Sequence, residues 1–259
     1  MATKKTNEEQ STELTKNEGA GQLATFSEER PSWATESARG SEDVGMQDII
    51  LPRIDVLQAL SPQIKKKDPK YIEGAEQGLL WNTVTGEIYG DSLTFIPVKF
   101  QREFIIWKDR DAGGGFKGSY PTADEAEDAM RDLDPADVPV CEIVETHVHY
   151  VLLVKEDGAL EEAVLSLAKS KRKVSKKLNT LTQIAGADRF AKAYQLSAVE
   201  ATGPKGDYYS VDVKPLGWAS KEQYDKGESM YNAVMAGERK VDRSSEDTDG
   251  VEAPANAKV

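Results

Sequence analysis

Residues 93–107 read LTFIPVKFQREFIIW. Ile96, Val98, Phe100, Phe104 and Ile106 fall on one face of an extended chain. Lys99, Gln101, Glu103 and Trp107, with Ile105, fall on the other. A period of two over so long a run marks a half-buried antiparallel strand. A chain built around it belongs to the mainly β class.

The flanking sequence extends this pattern. Upstream, Leu79–Asn82 and Glu87–Tyr89 bracket the turn Thr83-Val84-Thr85-Gly86, which predicts a hairpin. Downstream, Asp109–Gly118 carries three consecutive glycines and reads as a loop. Thr122 caps an acidic helix to Leu133, with Glu125 three residues on, and Pro135 and Pro139 close it. A second long strand covers Val140–Lys155, with Val144, Val148, Tyr150, Leu152 and Val154 on one face and Cys141, Glu145, His147 and His149 on the other. After the turn Glu156-Asp157-Gly158 it returns at Glu162–Leu167. The period then changes. Val174, Leu178, Leu181 and Ile184 recur at helical spacing within Ser170–Ile184. Ala193–Ala201 and Tyr208–Pro215 form a closing hairpin, and 220–239 a polar helix. Strands interrupted by one amphipathic helix and closed by a hairpin fit an OB-fold-like Greek-key barrel with α insertions.

Composition sets the boundaries. The chain has 259 residues, 39% hydrophobic and 30% charged, with a net charge of −12. Residues 1–43 are polar and aperiodic, and 241–259 are acidic; both are expected to be disordered arms. Between them lie an OB-like domain over 44–219 and a helix over 220–240. No run of 18 apolar residues exists, so no membrane partner is expected. The N-terminal residues lack the apolar stretch of a secretory signal. A lone cysteine, Cys141, excludes a disulfide framework and fits the cytoplasm.

The charge is unevenly placed. Residues 121–142 carry eight acids against Arg131, whereas 165–192 carry eight bases against Asp188. Lys169, Lys171, Arg172, Lys173, Lys176 and Lys177 lie within nine residues. Such a cluster repels itself unless anions are near, and phosphate would relieve it. Ser170 and Ser175 within it are further candidate phosphate donors. The alternative is a solvated helix face. Trp107, Tyr208 and Tyr209 are candidate rings for base stacking, or else packing residues, and Lys99 lies on the same strand face as Trp107. Lys117 and Ser119 beside the glycine loop are weaker candidates for holding a strand. Cys141, His147 and His149 share one strand face, but about 20 Å separates Cys141 from His147 on a straight strand, and no metal or other cofactor is expected. No GxSxG, HExxH, Walker or dinucleotide fingerprint is present, so no catalytic residues are assigned.

Two stretches carry a family resemblance. Residues 49–62 read IILPRIDVLQALSP, and residues 165–181 read LSLAKSKRKVSKKLNTL, a strand leading into a basic helix. With the closing hairpin and acidic tail, the chain resembles phage-encoded single-stranded DNA-binding proteins of the OB-fold type. The resemblance implies a non-enzymatic protein that coats single-stranded DNA during replication and recombination in the bacterial host cytoplasm. It also implies an acidic tail that recruits replication or recombination proteins. This tail departs from the pattern, ending in Ala-Lys-Val without a terminal aromatic. The other expectation from the charge map is an acidic protein-interaction module, a host-factor inhibitor or replisome adaptor, acting through Asp124–Asp137. Oligomeric state is left open.

Overall fold

A computed structural model describes residues 34, 39–45, 48–203, 206–239, 241 and 243. The chain divides into two units, Met1–Val44 and Gly45–Val259, and every element below belongs to the second. The expected arms at 1–43 and 241–259 lie almost wholly outside the described residues.

The fold is mainly β, with two antiparallel sheets. A small sheet joins β1 (Ile54–Val56), β2 (Leu80–Asn82) and β3 (Ile88–Gly90) in that order. The large sheet is built on β4 (Ser92–Lys108) and β6 (Cys141–Val154), paired along almost their whole lengths. Its order is β7 (Leu160–Ala168), β6, β4, β8 (Lys192–Gly203), β9 (Gly206–Trp218). A short strand, β5 (Phe116–Tyr120), folds back on the far end of β4. The helices are α1 (Ala123–Arg131), α2 (Arg172–Ile184) and α3 (Lys221–Met235).

Both faces of the large sheet are covered. On one, α2 and the small sheet bury Phe95, Val151, Leu153, Leu165, Val174, Leu178, Tyr194 and Val213. On the other, Ile96, Val98, Val148, Leu152, Phe190, Met230 and Val234 pack together, bringing α3 onto the sheet. The two inward-facing sets on β6 match the alternation read from the sequence, as do α1 capped by Thr122, which accepts from the Glu125 amide, and the β8–β9 hairpin.

Three expectations change. First, the apolar face assigned to residues 93–107 is split. The β4–β6 register shifts between Pro97 and Lys99, because proline lacks the N–H that the ladder needs there. Ile96 and Val98 therefore face α3, while Phe100 faces the α2 side and packs against His147 and His149, with ring centroids 5.3 and 5.2 Å away. Second, the glycine loop, expected over Asp109–Gly118 as mobile or tightly turned, is the tightly turned form and ends sooner. Asp109 caps a single turn, Gly113, Gly114 and Gly115 all adopt positive φ, and the chain re-enters the sheet at Phe116. Third, the described strands close no barrel, and β7 and β9 remain the two ends of the sheet.

A strap spans those ends instead. The amide of Val164 on β7 donates to the Pro52 carbonyl. Six residues later Gln58 pairs with the main chain of Tyr209 on β9, its Nε2 donating to the carbonyl at 2.8 Å and its Oε1 accepting from the amide at 2.9 Å. Between these ties, Ile54 and Val56 point into the core beneath α2.

Candidate nucleic-acid interface on α2 and β9

The basic segment begins where β7 ends. Lys169 makes the connection in the left-handed region (φ 47°), alone among the described non-glycine residues. Such backbone costs about 1–2 kcal/mol and turns the chain sharply from strand into helix.

Most of the six bases answer to the protein's own acids. Lys169 Nζ lies 2.7 Å from Glu142, Lys171 Nζ 3.2 Å from Asp55, and Lys177 Nζ 2.6 Å from Asp212; Arg172 hydrogen-bonds Glu145. Burial pushes the Asp55 carboxyl up, but the charges of Lys171 and Arg53 outweigh it and hold it below its ordinary range. The anions that relieve the cluster come from β1, β6 and β9, which are remote in sequence. Lys173 and Lys176 are exposed and have no acid partner among the described residues.

Lys173 and Lys177 line a cleft of about 350 Å³ between α2 and β9, with Val199, Ser210 and Asp212 on the strand side. Ser210 is 2% exposed, and its hydroxyl has no hydrogen-bond partner among the described residues. An unmet buried hydroxyl is unfavourable by about 1–3 kcal/mol. Helix and strand run side by side here. From Lys173 to Lys177 the helix advances about 6 Å, and from Ser210 to Asp212 the strand advances about 6.6 Å.

Beneath the helix, a polar chain fastens α2 to β6. Ser175 Oγ is 2.8 Å from His147 Nδ1 and 2.7 Å from His149 Nε2. His147 Nε2 reaches Glu145 at 3.1 Å, and Arg189 reaches His149 Nδ1 at 2.8 Å. Burial pulls both histidines below their ordinary value, His149 furthest, with the Arg189 charge adding to it. For Glu145, burial pushes upward, but the His147 hydrogen bond and the Arg172 and Arg102 charges hold it low. A Glu–His–Ser series has the connectivity of a hydrolytic triad. Here Ser175 is fully buried and touches two imidazoles, so it positions the basic helix and has no surface to offer a substrate or a phosphate.

A family model of the Pam3 phage gp34-like protein matches residues 19–240. The chain belongs to the Pam3 phage gp34-like family. The match covers every element of this family member's fold, and the phage part of the resemblance read from the sequence stands on it. No curated protein and no solved structure matches the chain. No helix among the described residues is long and apolar enough to cross a membrane.

In this family member several expected contacts fall elsewhere. Trp107 is 4% exposed and packs edge-on against Phe116 at 5.8 Å, so its ring is closed to a base. Tyr208 and Tyr209 are half-buried, and the Tyr209 hydroxyl donates to Glu200. Lys99 pairs with Tyr150 across the ladder, on the face away from α2. Lys117 is held by Asp137, and Ser119 donates to Glu103. Of the ten expected DNA-contacting residues, the structure brings Lys173 and Lys177 together at the cleft, with Lys176 exposed on the same helix. The exposed aromatic that the sequence did not single out is Trp218, 65% exposed at the end of β9 with Lys192 Nζ 5.3 Å from its ring centroid. Its signal was available: Trp218 follows a glycine at the end of a strand, beyond the last core-facing valine.

Proposed function

We propose that this chain is a non-enzymatic, phage-encoded single-stranded DNA-binding protein whose contact surface is the cleft between α2 and β9. The observation that carries this is the cleft's chemistry. Lys173 and Lys176 have no acid partner among the described residues, and Lys177 is exposed on the same helix and lines the cleft with Lys173. Phosphate supplies the countercharge, and a local basic patch attracts it although the whole chain is acidic, because charges are screened over about 8 Å at physiological salt. The strap from Pro52 to Gln58, which ties the outer strands β7 and β9, supports kinship with the OB barrel. The acidic C-terminal residues then serve to recruit replication or recombination proteins.

Fluorescence anisotropy with labelled oligo(dT) across a salt series tests this. Affinity should fall as salt rises, with a logarithmic slope of about −0.7 per neutralised phosphate. Changing Lys173 and Lys176 together to alanine should flatten that slope by about 1.4. No binding at low salt, or an unchanged slope in the double variant, sinks the proposal. Capture of a protein partner by the acidic face of α1 with no DNA affinity would favour an interaction module instead.

A further inference from the structure

We infer that Trp218, at the far end of the β9 strand that borders the cleft, is a base-stacking platform, taking a nucleobase of the strand whose phosphates meet Lys173, Lys176 and Lys177. This rests on the nucleic-acid function proposed above.

Trp218 is the most exposed aromatic ring among the described residues. It is held outward by local structure. The β8–β9 register shifts at Ala193/Tyr194, leaving Leu216 as an extra residue on β9 beside Pro215. A bulge of this kind bends the strand and re-aims the residues that follow. Trp218 then pairs directly with Lys192, whose ammonium sits over the ring. A cation over one face of an indole leaves the opposite face for a second partner.

Strand β9 connects this ring to the lysines. Lys173 and Lys177 share the cleft with Ser210 and Asp212, and Lys177 pairs with Asp212. Continuing along β9, about 26 Å separates Ser210 from Trp218. At that end α2 finishes in Ile184, 76% exposed, and Leu216 on β9 is 55% exposed. The helix end is tied to the lead-in of β8 by Arg189, which donates to Asn179 and Thr182. Strand β9 thus has exposed lysines of α2 near one end and exposed apolar side chains at the other. A single-stranded nucleic acid carries both complements on one polymer, phosphates for the ammonium groups and an unpaired base for the indole.

The test compares oligo(dT) with an abasic deoxyribose-phosphate oligomer of equal length, in the full chain. Trp218→Ala should weaken oligo(dT) binding about 5- to 100-fold and leave the abasic oligomer unchanged, while Trp218→Phe retains most of the affinity. Full affinity for oligo(dT) in Trp218→Ala overturns the inference, as does an equal loss on the abasic oligomer. If Lys173 and Lys176 variants weaken binding and Trp218→Ala does not, the stacking site alone falls. If the unaltered chain binds neither oligomer at low salt, both proposals fall.

Discussion

Arg189 donates to Nδ1 of His149 at 2.8 Å, and this bond orders every proton beyond it. A guanidinium can only donate, and burial lowers Arg189 only to about 10, so it stays charged at neutral pH. His149 Nδ1 is therefore the acceptor, and its proton sits on Nε2, donating to Ser175. The serine proton must then point to His147 Nδ1, and His147 Nε2–H donates to Glu145. The chain runs in one sense from cation to anion. Nitrogen-15 chemical shifts of the two imidazoles should show both as neutral Nε2–H tautomers at pH 7. An Nδ1–H form of either histidine contradicts the arrangement.

The same chain sets an acid limit on stability. Both histidines are held below 6.5 in the folded protein, so the unfolded chain takes up protons first as pH falls. Their contribution is complete above about pH 6.5 and is lost progressively below it, at up to about 1.4 kcal/mol per pH unit for each histidine. Glu145, also held low, adds a further loss once pH drops below its ordinary range. Urea midpoints measured between pH 8 and pH 5 should be flat to about 6.5 and then fall. In Ser175→Ala, which strips the hydroxyl from two buried rings, the midpoint at pH 7 should drop by the equivalent of about 2 kcal/mol or more.

The six clustered bases should separate into two classes. Lys171 and Arg172 serve internal carboxylates, so alanine at either leaves Asp55 or Glu145 short of a cation, with an expected loss of about 1–3 kcal/mol. Lys173 and Lys176 serve none among the described residues, so alanine there should move the melting temperature by no more than a degree or two while weakening binding to single-stranded DNA. A thermal melt run beside the anisotropy titration separates the classes. Equal melting losses for all four would show that Lys173 and Lys176 have structural partners.

Much of this architecture was legible in the primary structure. Period-two stretches placed β4, β6 and β7, a change to helical period placed α2, and Thr122 with Glu125 placed α1. What escaped depended on contacts remote in sequence. The acids that neutralise Lys169, Lys171, Arg172 and Lys177 come from residues 142, 55, 145 and 212, and no local pattern announces them. Trp107 has the alternation of a solvent-facing residue, but β5 folds back and places Phe116 over it. The split face of β4 did leave a local trace. Pro97 in mid-strand marks the shift in register, as Pro215 marks the one before Trp218.

The final segment shows how the root of a tail can matter more to the fold than the tail. Beyond α3, Arg239 Nε donates to Glu162 at 2.6 Å. Arg243 is 3% exposed, its Nε donates to Glu103 at 3.1 Å, and it also reaches Ser166. Glu103 is itself buried and takes further hydrogen bonds from Gln101 and Ser119. Removing one partner of such a pair leaves a buried charge, typically at a loss of about 3–5 kcal/mol. Truncation after Arg243 should therefore leave the melting temperature unchanged, whereas Arg243→Ala in the full chain should lower it by several degrees. On the proposed function, the truncated chain should also bind oligo(dT) more tightly at low salt, because residues 244–259 carry four acids against one lysine and their charge would compete with phosphate. Unchanged affinity on truncation would remove that competition, and an equal fall in melting temperature for both variants would place structural contacts in the tail itself.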